Sequence, residues 1–186
     1  MKREDRRDAL LDLAAGIIQE KGADALTLQT LAEAAGVTKP VTYSQFGTRA
    51  GLLNALYQRY DQRFFADFEA GLAAGPKDLE AAAALFAESF LACVARHGRV
   101  HEAAIAALRA YPEHRDIPVA IRAAFVEAAS RSILRLVPAV QAPSETRMIA
   151  LQGAAEELGR AVLDGQIGED DARAEIRAVF IALVAP

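Results

Sequence analysis

Thr38, Lys39, Thr42, Ser44 and Gln45 are small or polar and can hydrogen-bond, and Val41, Tyr43 and Phe46 interleave apolar and aromatic surface among them. A short helix with that face can enter a groove about 12 Å wide and touch base edges and phosphates. Other chemistry is thin. His97 and His101 stand four apart, a metal-ligand spacing on a helix, but Gly98 between them predicts a helix boundary. No Glu-x-x-His occurs, which disfavours a di-metal bundle, so no metal site is predicted. Cys93 is the one cysteine. It excludes an intramolecular disulfide or a multi-cysteine zinc site and reads as an inert buried thiol. Nothing resembles a nucleophile elbow, a P-loop or a dinucleotide fingerprint, so no catalytic residue and no cofactor are predicted and the chain does not read as an enzyme.

The elements that must position residues 38–46 follow from spacing. Ala and Leu dominate, and apolar residues recur at three and four, so the chain reads as all-α with about nine helices. A first helix is predicted over Asp5–Lys21, with Leu10, Leu13, Ala14, Ile17 and Ile18 inward and Gly22 as its stop. Thr27 is placed to cap a second helix, its hydroxyl accepting from the N–H of Gln29 or Thr30. Leu28, Leu31 and Ala32 face inward there, and Gly36 ends it. Thr38 caps a third helix, Lys39–Phe46, with Pro40 in the first turn, and Gly47 closes it. Two short helices joined by Ala35-Gly36-Val37-Thr38 have the helix-turn-helix form, the glycine permitting the tight reversal. Phe46 reads as core of a three-helix bundle; Tyr43 as core and Lys39 as a plain solvated lysine are the competing readings.

Taken in order, Leu10-Leu11 with Ala14 and Ile18, then Gly22, Thr27-Leu28, Leu31-Ala32, Ala34-Ala35-Gly36-Val37, Tyr43 to Arg49 and Leu52-Leu53 resemble the N-terminal domain of TetR-family transcriptional regulators. The resemblance covers residues 5–53. It implies a helix-turn-helix DNA-binding domain over 1–47 and an effector-binding and dimerisation domain over 48–186. Lys39, Pro40 and Val41 fall where family members touch base edges, and Gln45, about one and a half turns on, can reach adenine or a phosphate. Thr27, Thr38, Tyr43 and Arg49 match phosphate-clamping positions. The family usually has lysine and then acids where Arg49, Ala50 and Gly51 stand. Arg49 keeps the charge, while Gly51 costs the fourth helix about 1 kcal/mol relative to alanine.

The same resemblance implies a homodimer on a near-palindromic double-stranded operator, most often a repressor released by a small molecule. The competing reading is a helical small-molecule carrier or bundle protein without DNA binding. The polar face of Lys39–Gln45 separates the two, since a purely structural helix has no use for it.

In the body, a fourth helix is predicted from Thr48 to about Gly71, with Leu52, Leu56, Tyr60, Phe64 and Phe68 in one stripe. Further helices are predicted at Lys77–Arg96, Val100–Ala110 and Pro118–Val137, then from Ser144 to about Leu163 and from Asp170-Asp171 to Pro186. The resemblance implies an effector cavity among them. Tyr60, Phe64, Phe86, Phe90, Cys93, Phe125 and Met148 are candidate lining, with His101 and Gln152 among the polar anchors and small residues such as Ala104 leaving volume. That suits an apolar or amphipathic ligand; ordinary core is the competing reading for each aromatic. Met148, Leu151, Ala155, Leu158 and Val162 form one late seam, and Ile176, Val179, Phe180 and Leu183 another. They look like the family's dimer interface, with Gly153, Ala154, Gly159 and Ala161 letting a partner helix approach. Burial within one chain competes with that reading.

Charge and composition bound the rest. Of 186 residues 53% are hydrophobic, which excludes a disordered chain. The net charge is −4, yet residues 1–50 carry seven Lys and Arg against seven Asp and Glu, so the acidic excess lies in the body. Lys2, Arg3, Arg6 and Arg7 form either a basic arm toward a minor groove or a solvated terminus. No apolar run approaches the roughly 20 residues of a membrane helix, and the charged N-terminus predicts no signal peptide. A cytoplasmic chain with no membrane partner is expected.

Overall fold

Short-range signals decide the first three helices of the computed structural model, which describes residues 3–73, 76, 78–111, 123, 127 and 144–184. Helix α1 spans Arg3–Lys21, α2 Leu28–Ala34 and α3 Lys39–Phe46, with a short 3-10 turn at Ala23–Ala25. Helix α4 runs Arg49–Ala73, α5 Leu79–Arg109, α6 Glu145–Leu163 and α7 Glu169–Val184. Among the described residues there are thus seven α-helices and no strand, fewer helices than the nine expected. Of the helix expected at Pro118–Val137 only Ala123 and Glu127 are described, both helical; Phe125 and the rest lie outside the described residues, as do Lys2 and Pro186.

The largest departure is at Gly98. The expected helices Lys77–Arg96 and Val100–Ala110 are one continuous helix, α5. Gly98 has ordinary negative φ, and a Cβ at this position would lie 2.6 Å from Leu163 Cδ1. The glycine is therefore there for close packing of α6 on α5, not as a stop. Gly36 and Gly47, by contrast, take φ of +63° and +69°, the left-handed region that ends α2 and α3.

The chain divides into two compact units, Met1–Tyr60 with Arg99–Val119, and Asp61–Gly98 with Ala120–Pro186. In the first, Leu10, Leu11, Ala14 and Ile18 of α1 pack with Leu31, Phe46, Leu53 and Leu56. Leu13, expected inward, is 40% exposed. The buried stripe of α1 is rotated toward Leu11, a turn of the helix that spacing alone leaves open. Val100, Ala104 and Leu108 of α5 complete this core. Ala104 is fully buried there.

The second unit is built on a cluster of aromatic rings, mostly edge-on to one another. Phe64 meets Phe68, Phe86 and Phe90 at centroid separations of 5.9 Å each, and Phe86 meets Phe180 at 5.2 Å. Met148, Leu151, Ala155, Ile176 and Val184 close the same cluster. The apolar seams of α6 and α7 are thus buried within the chain itself. Gly159 serves that packing: its Cβ would stand 3.0 Å from Val94 Cγ2 and 3.2 Å from Phe90 Cε1. The reading of Gly159 as room for a partner helix is corrected accordingly. No helix among the described residues is long and apolar enough to cross a membrane.

Candidate nucleic-acid interface

Helix α2 has seven residues, too few to hold without tertiary support, and its start is fixed by a reciprocal cap. Thr27 Oγ1 accepts from the Thr30 N–H at 3.0 Å, and the Thr27 N–H donates to Thr30 Oγ1 at 2.9 Å. The turn follows, with the Val37 N–H on the Ala32 carbonyl at 3.0 Å. Helix α3 then starts at Lys39 with Pro40 in its first turn, where a missing N–H costs nothing. Thr38 precedes it as the N-cap residue, but its side chain makes no capping bond and stays exposed.

One side chain docks α3 on α2. Thr42 is fully buried, and its hydroxyl reaches the Leu28 carbonyl and the Lys39 carbonyl, each at 2.9 Å. Its hydroxyl and its place in α3 group it with the DNA-facing residues in the sequence; the fold corrects this and uses it inside. Phe46 is buried as expected. What remains outward is Lys39, Pro40, Tyr43 and Ser44, all exposed, with Val41 and Gln45 half-buried. Tyr43 is 54% exposed, one of three large apolar residues left on the surface among the described residues. An aromatic ring exposed on a helix whose other aromatic is buried is not core.

Arg49 and Arg7 brace this face. Arg49 donates from Nε to the Leu26 carbonyl and from Nη2 to the Ala23 carbonyl, both at 2.7 Å, and from Nη1 to the Tyr111 hydroxyl at 2.8 Å. These bonds hold the segment that leads into α2, so much of the cation's donor capacity is committed within the domain. Arg7 Nη1 donates to the Gln45 carbonyl at 2.6 Å, and its guanidinium lies 4.9 Å from the Phe46 ring centroid. Arg3 to Arg7 lie within α1, so the basic cluster is helical from Arg3 onward. Arg59, 7% exposed, ties α4 to α1 through Asp12 Oδ1 at 2.9 Å and the Asp8 carbonyl at 3.0 Å. Sequence reasoning passed over Arg59 and Tyr111, and read Arg7 only as part of a basic arm or a solvated terminus. Arg59 had a signal: it stands seven after Leu52 and three after Leu56, on the buried stripe, where a cation requires a partner. Arg7 had none, since its partner is 38 residues away.

The candidate effector residues fall in two groups. Phe64, Phe86 and Met148 are core of the second unit, and Phe90 and Cys93 pack against it. Gln152, 6% exposed, donates from Nε2 to Glu156 Oε1 at 2.9 Å, while its Oε1 has no partner among the described residues. Tyr60 and His101 belong to the first unit, where His101 stacks on Tyr57 at 4.5 Å and meets the edge of Tyr60 at 6.3 Å. Phe125 lies outside the described residues. Burial, with Asp61 and Asp67 nearby, raises the Cys93 thiol to about 11 against the pull of Arg96 and Arg63. It stays protonated at neutral pH. Among the described residues no three His, Cys, Asp or Glu converge as metal ligands.

Residues 10–56 match the bacterial regulatory proteins of the tetR family. The chain is 37% identical over 87 residues to the HTH-type transcriptional repressor ComR of Escherichia coli (strain K12), a stretch covering 47% of this chain and 41% of ComR. The chain therefore spans less than half of that relative's length. In fold it is similar to a tetR-family transcriptional regulator from Streptomyces coelicolor, at TM-score 0.72 and 23% identity over 98% of this chain and 82% of that one. It is likewise similar to the multidrug binding protein EbrR, solved with imidazole, at TM-score 0.70 and 19% identity over 97% and 96%.

Proposed function

We propose that the chain, whose residues 10–56 match the bacterial regulatory proteins of the tetR family, is a homodimeric, ligand-responsive repressor of transcription. The observation that carries this reading is the outward face of α3, where Lys39 and Tyr43 stand exposed while Thr42 and Phe46 anchor the helix beneath them. Residues 1–47 act on DNA; residues 48–186 bind an effector and a second copy. Lys39 donates to a guanine edge, Pro40 and Val41 pack on thymine methyls, and the Tyr43 and Thr38 hydroxyls grip phosphates. Thr27 and Arg49 hold the segment around α2 in place, and Gln45 adds a polar contact at the end of the helix.

A two-fold protein needs two half-sites related by the same axis, hence a near-palindromic operator. The surface that supports a second copy is the outward side of α6 and α7. Ile149 is 37% exposed, a Cβ on Gly153 would meet nothing within 4 Å, and Ala150, Ala178 and Ala182 are exposed small residues on the same two helices. Such a face lets helices approach closely once the inner seams are filled within the chain.

The effector is an apolar or amphipathic small molecule. The aromatic cluster around Phe64 and Phe86 supplies apolar surface, and the buried Gln152 oxygen supplies one acceptor. EbrR, which shares the fold, is a multidrug binding protein. Helix α4 carries both Arg49 and Phe64, so a ligand that repacks Phe64 acts on the helix that braces α2. A hundredfold loss of DNA affinity needs only about 2.7 kcal/mol of differential binding. The match of residues 10–56 to bacterial regulatory proteins supports a regulator rather than an enzyme.

Two substitutions test the DNA face. Lys39→Ala is expected to lose about 1–3 kcal/mol and to relax preference at one base pair. Tyr43→Phe is expected to weaken all sequences alike, since a phosphate contact carries no sequence information. Gel-shift titrations against the operator and single-base variants of it read both. An unchanged preference and affinity in Lys39→Ala removes α3 from the recognition role.

A further inference from the structure

The C-terminal end of α3 has an unusual support. An eight-residue helix leaves its last carbonyls without helical partners. The Tyr43 carbonyl receives the Gly47 N–H at 2.8 Å and the Phe46 carbonyl receives the Thr48 N–H at 2.8 Å, both from the turn itself. The Gln45 carbonyl is met from another helix, by Arg7 Nη1 at 2.6 Å. The same guanidinium lies 4.9 Å from the ring centroid of Phe46, the residue that buries the end of α3 in the core shared with Leu10 and Leu11. A cation at a helix C-terminus also complements the helix dipole. One side chain of α1 thus grips both the backbone and the ring at the end of the helix that presents Lys39 and Tyr43.

We propose that Arg7 is the positioning residue of the recognition helix: it holds the end of α3 to α1 and so sets the height and tilt at which Lys39 and Tyr43 meet the groove. This rests on the reading of α3 as the DNA-binding helix. It gives the basic N-terminal cluster a role other than a minor-groove arm, because Arg7 points its charge at a carbonyl of its own domain. The planar guanidinium satisfies a hydrogen bond and a ring contact together; lysine can supply the hydrogen bond and charge but not the stacked plane.

The test uses the full chain, the duplex it enriches from a random 30-base-pair pool, and an unrelated duplex of equal length. Affinities of the parent, Arg7→Ala and Arg7→Lys are titrated between about 50 and 200 mM KCl. Amide hydrogen exchange of α3 is followed without DNA. Arg7→Ala is expected to bind the enriched duplex at least about tenfold more weakly, with an unchanged slope of log K against log salt. Its affinity for the unrelated duplex stays within about twofold, and Arg7→Lys recovers part of the loss. Exchange of residues 43–46 accelerates while that of residues 10–18 does not. A slope shallower by about one unit would make Arg7 a phosphate contact and overturn the proposal. Unchanged affinity with unchanged exchange would overturn it as well. A parent that enriches no duplex refutes the DNA reading instead, and the exchange result then still decides whether Arg7 holds α3.

Discussion

Replacing Gly51 by alanine is expected to destabilise the protein, although helix propensity alone predicts the reverse. Alanine in a helix interior is favoured over glycine by about 1 kcal/mol. At this position, however, a Cβ would collide with the Phe46 carbonyl oxygen, and that oxygen is fixed by the Thr48 N–H at 2.8 Å. The obstacle is backbone, not a flexible side-chain end, so the α3–α4 corner must open. Overpacking of this kind costs typically about 1–3 kcal/mol, enough to reverse the propensity gain. Because the corner carries the end of α3, operator affinity is expected to fall at least about tenfold alongside stability. Urea titration and gel shift on the same preparation check both. A Gly51→Ala variant that melts higher and binds DNA normally would show that the corner is not tight.

The second large effect separates the inner seam of α7 from the outer face of α6. Phe180 is fully buried and packs on Phe86. Phe180→Asp puts a charge into that cluster and removes a ring, at a cost of at least about 4 kcal/mol, a large share of what a domain has. The expected result is loss of the second unit's folding, seen as a lost or much lowered thermal transition. Ile149→Asp changes an exposed residue and is expected to leave stability within about 0.5 kcal/mol while dissociating the proposed dimer. Sedimentation velocity and thermal melts on the two variants read this directly. A well-folded monomer from Phe180→Asp, together with an intact dimer from Ile149→Asp, would return the interface to the seam.

These two cases show which parts of the molecule are legible in one sequence. Thr27 as a cap, Gly36 and Gly47 as turns, Pro40 in a first turn and Phe46 as core depend on residues within a few positions, and each is found as expected. Periodicity also identifies the apolar faces of α6 and α7. It does not say what those faces meet, and in the fold they meet α4 and α5 of the same chain rather than serving as an exposed seam. Gly98 misleads because a glycine needed for helix contact carries the same letter as one needed for a stop, and Gly159 because the sequence does not say whether the helix it admits belongs to the same chain or to a partner. Thr42 shows the limit on a short helix, where a 3.6-residue period over eight positions leaves the buried side uncertain by one residue, and a small hydroxyl fits either side.

The candidate site divides similarly. Lys39, Pro40 and Tyr43 are outward, as their types suggest, because a docked α3 leaves them nowhere else to go. The arginines are harder to read. Arg49 carries the charge that the family resemblance asks for, yet its hydrogen bonds run to the Ala23 and Leu26 carbonyls and to Tyr111. An arginine's five donors allow it to brace a loop in a way that a lysine's single ammonium does less well. The departure from lysine at this position thus has a structural account.

Selection from a random duplex pool, followed by footprinting of the parent and Lys39→Ala on the enriched sequence, tests the central claim most directly. The account predicts a near-palindrome whose half-site centres lie about 34–36 Å apart or at a multiple of that spacing. Protection would cover both halves, and the variant would lose discrimination at one base pair in each. A parent that enriches no sequence, or binds unrelated duplexes as tightly as any selected one, would contradict the assignment of α3 as a recognition helix.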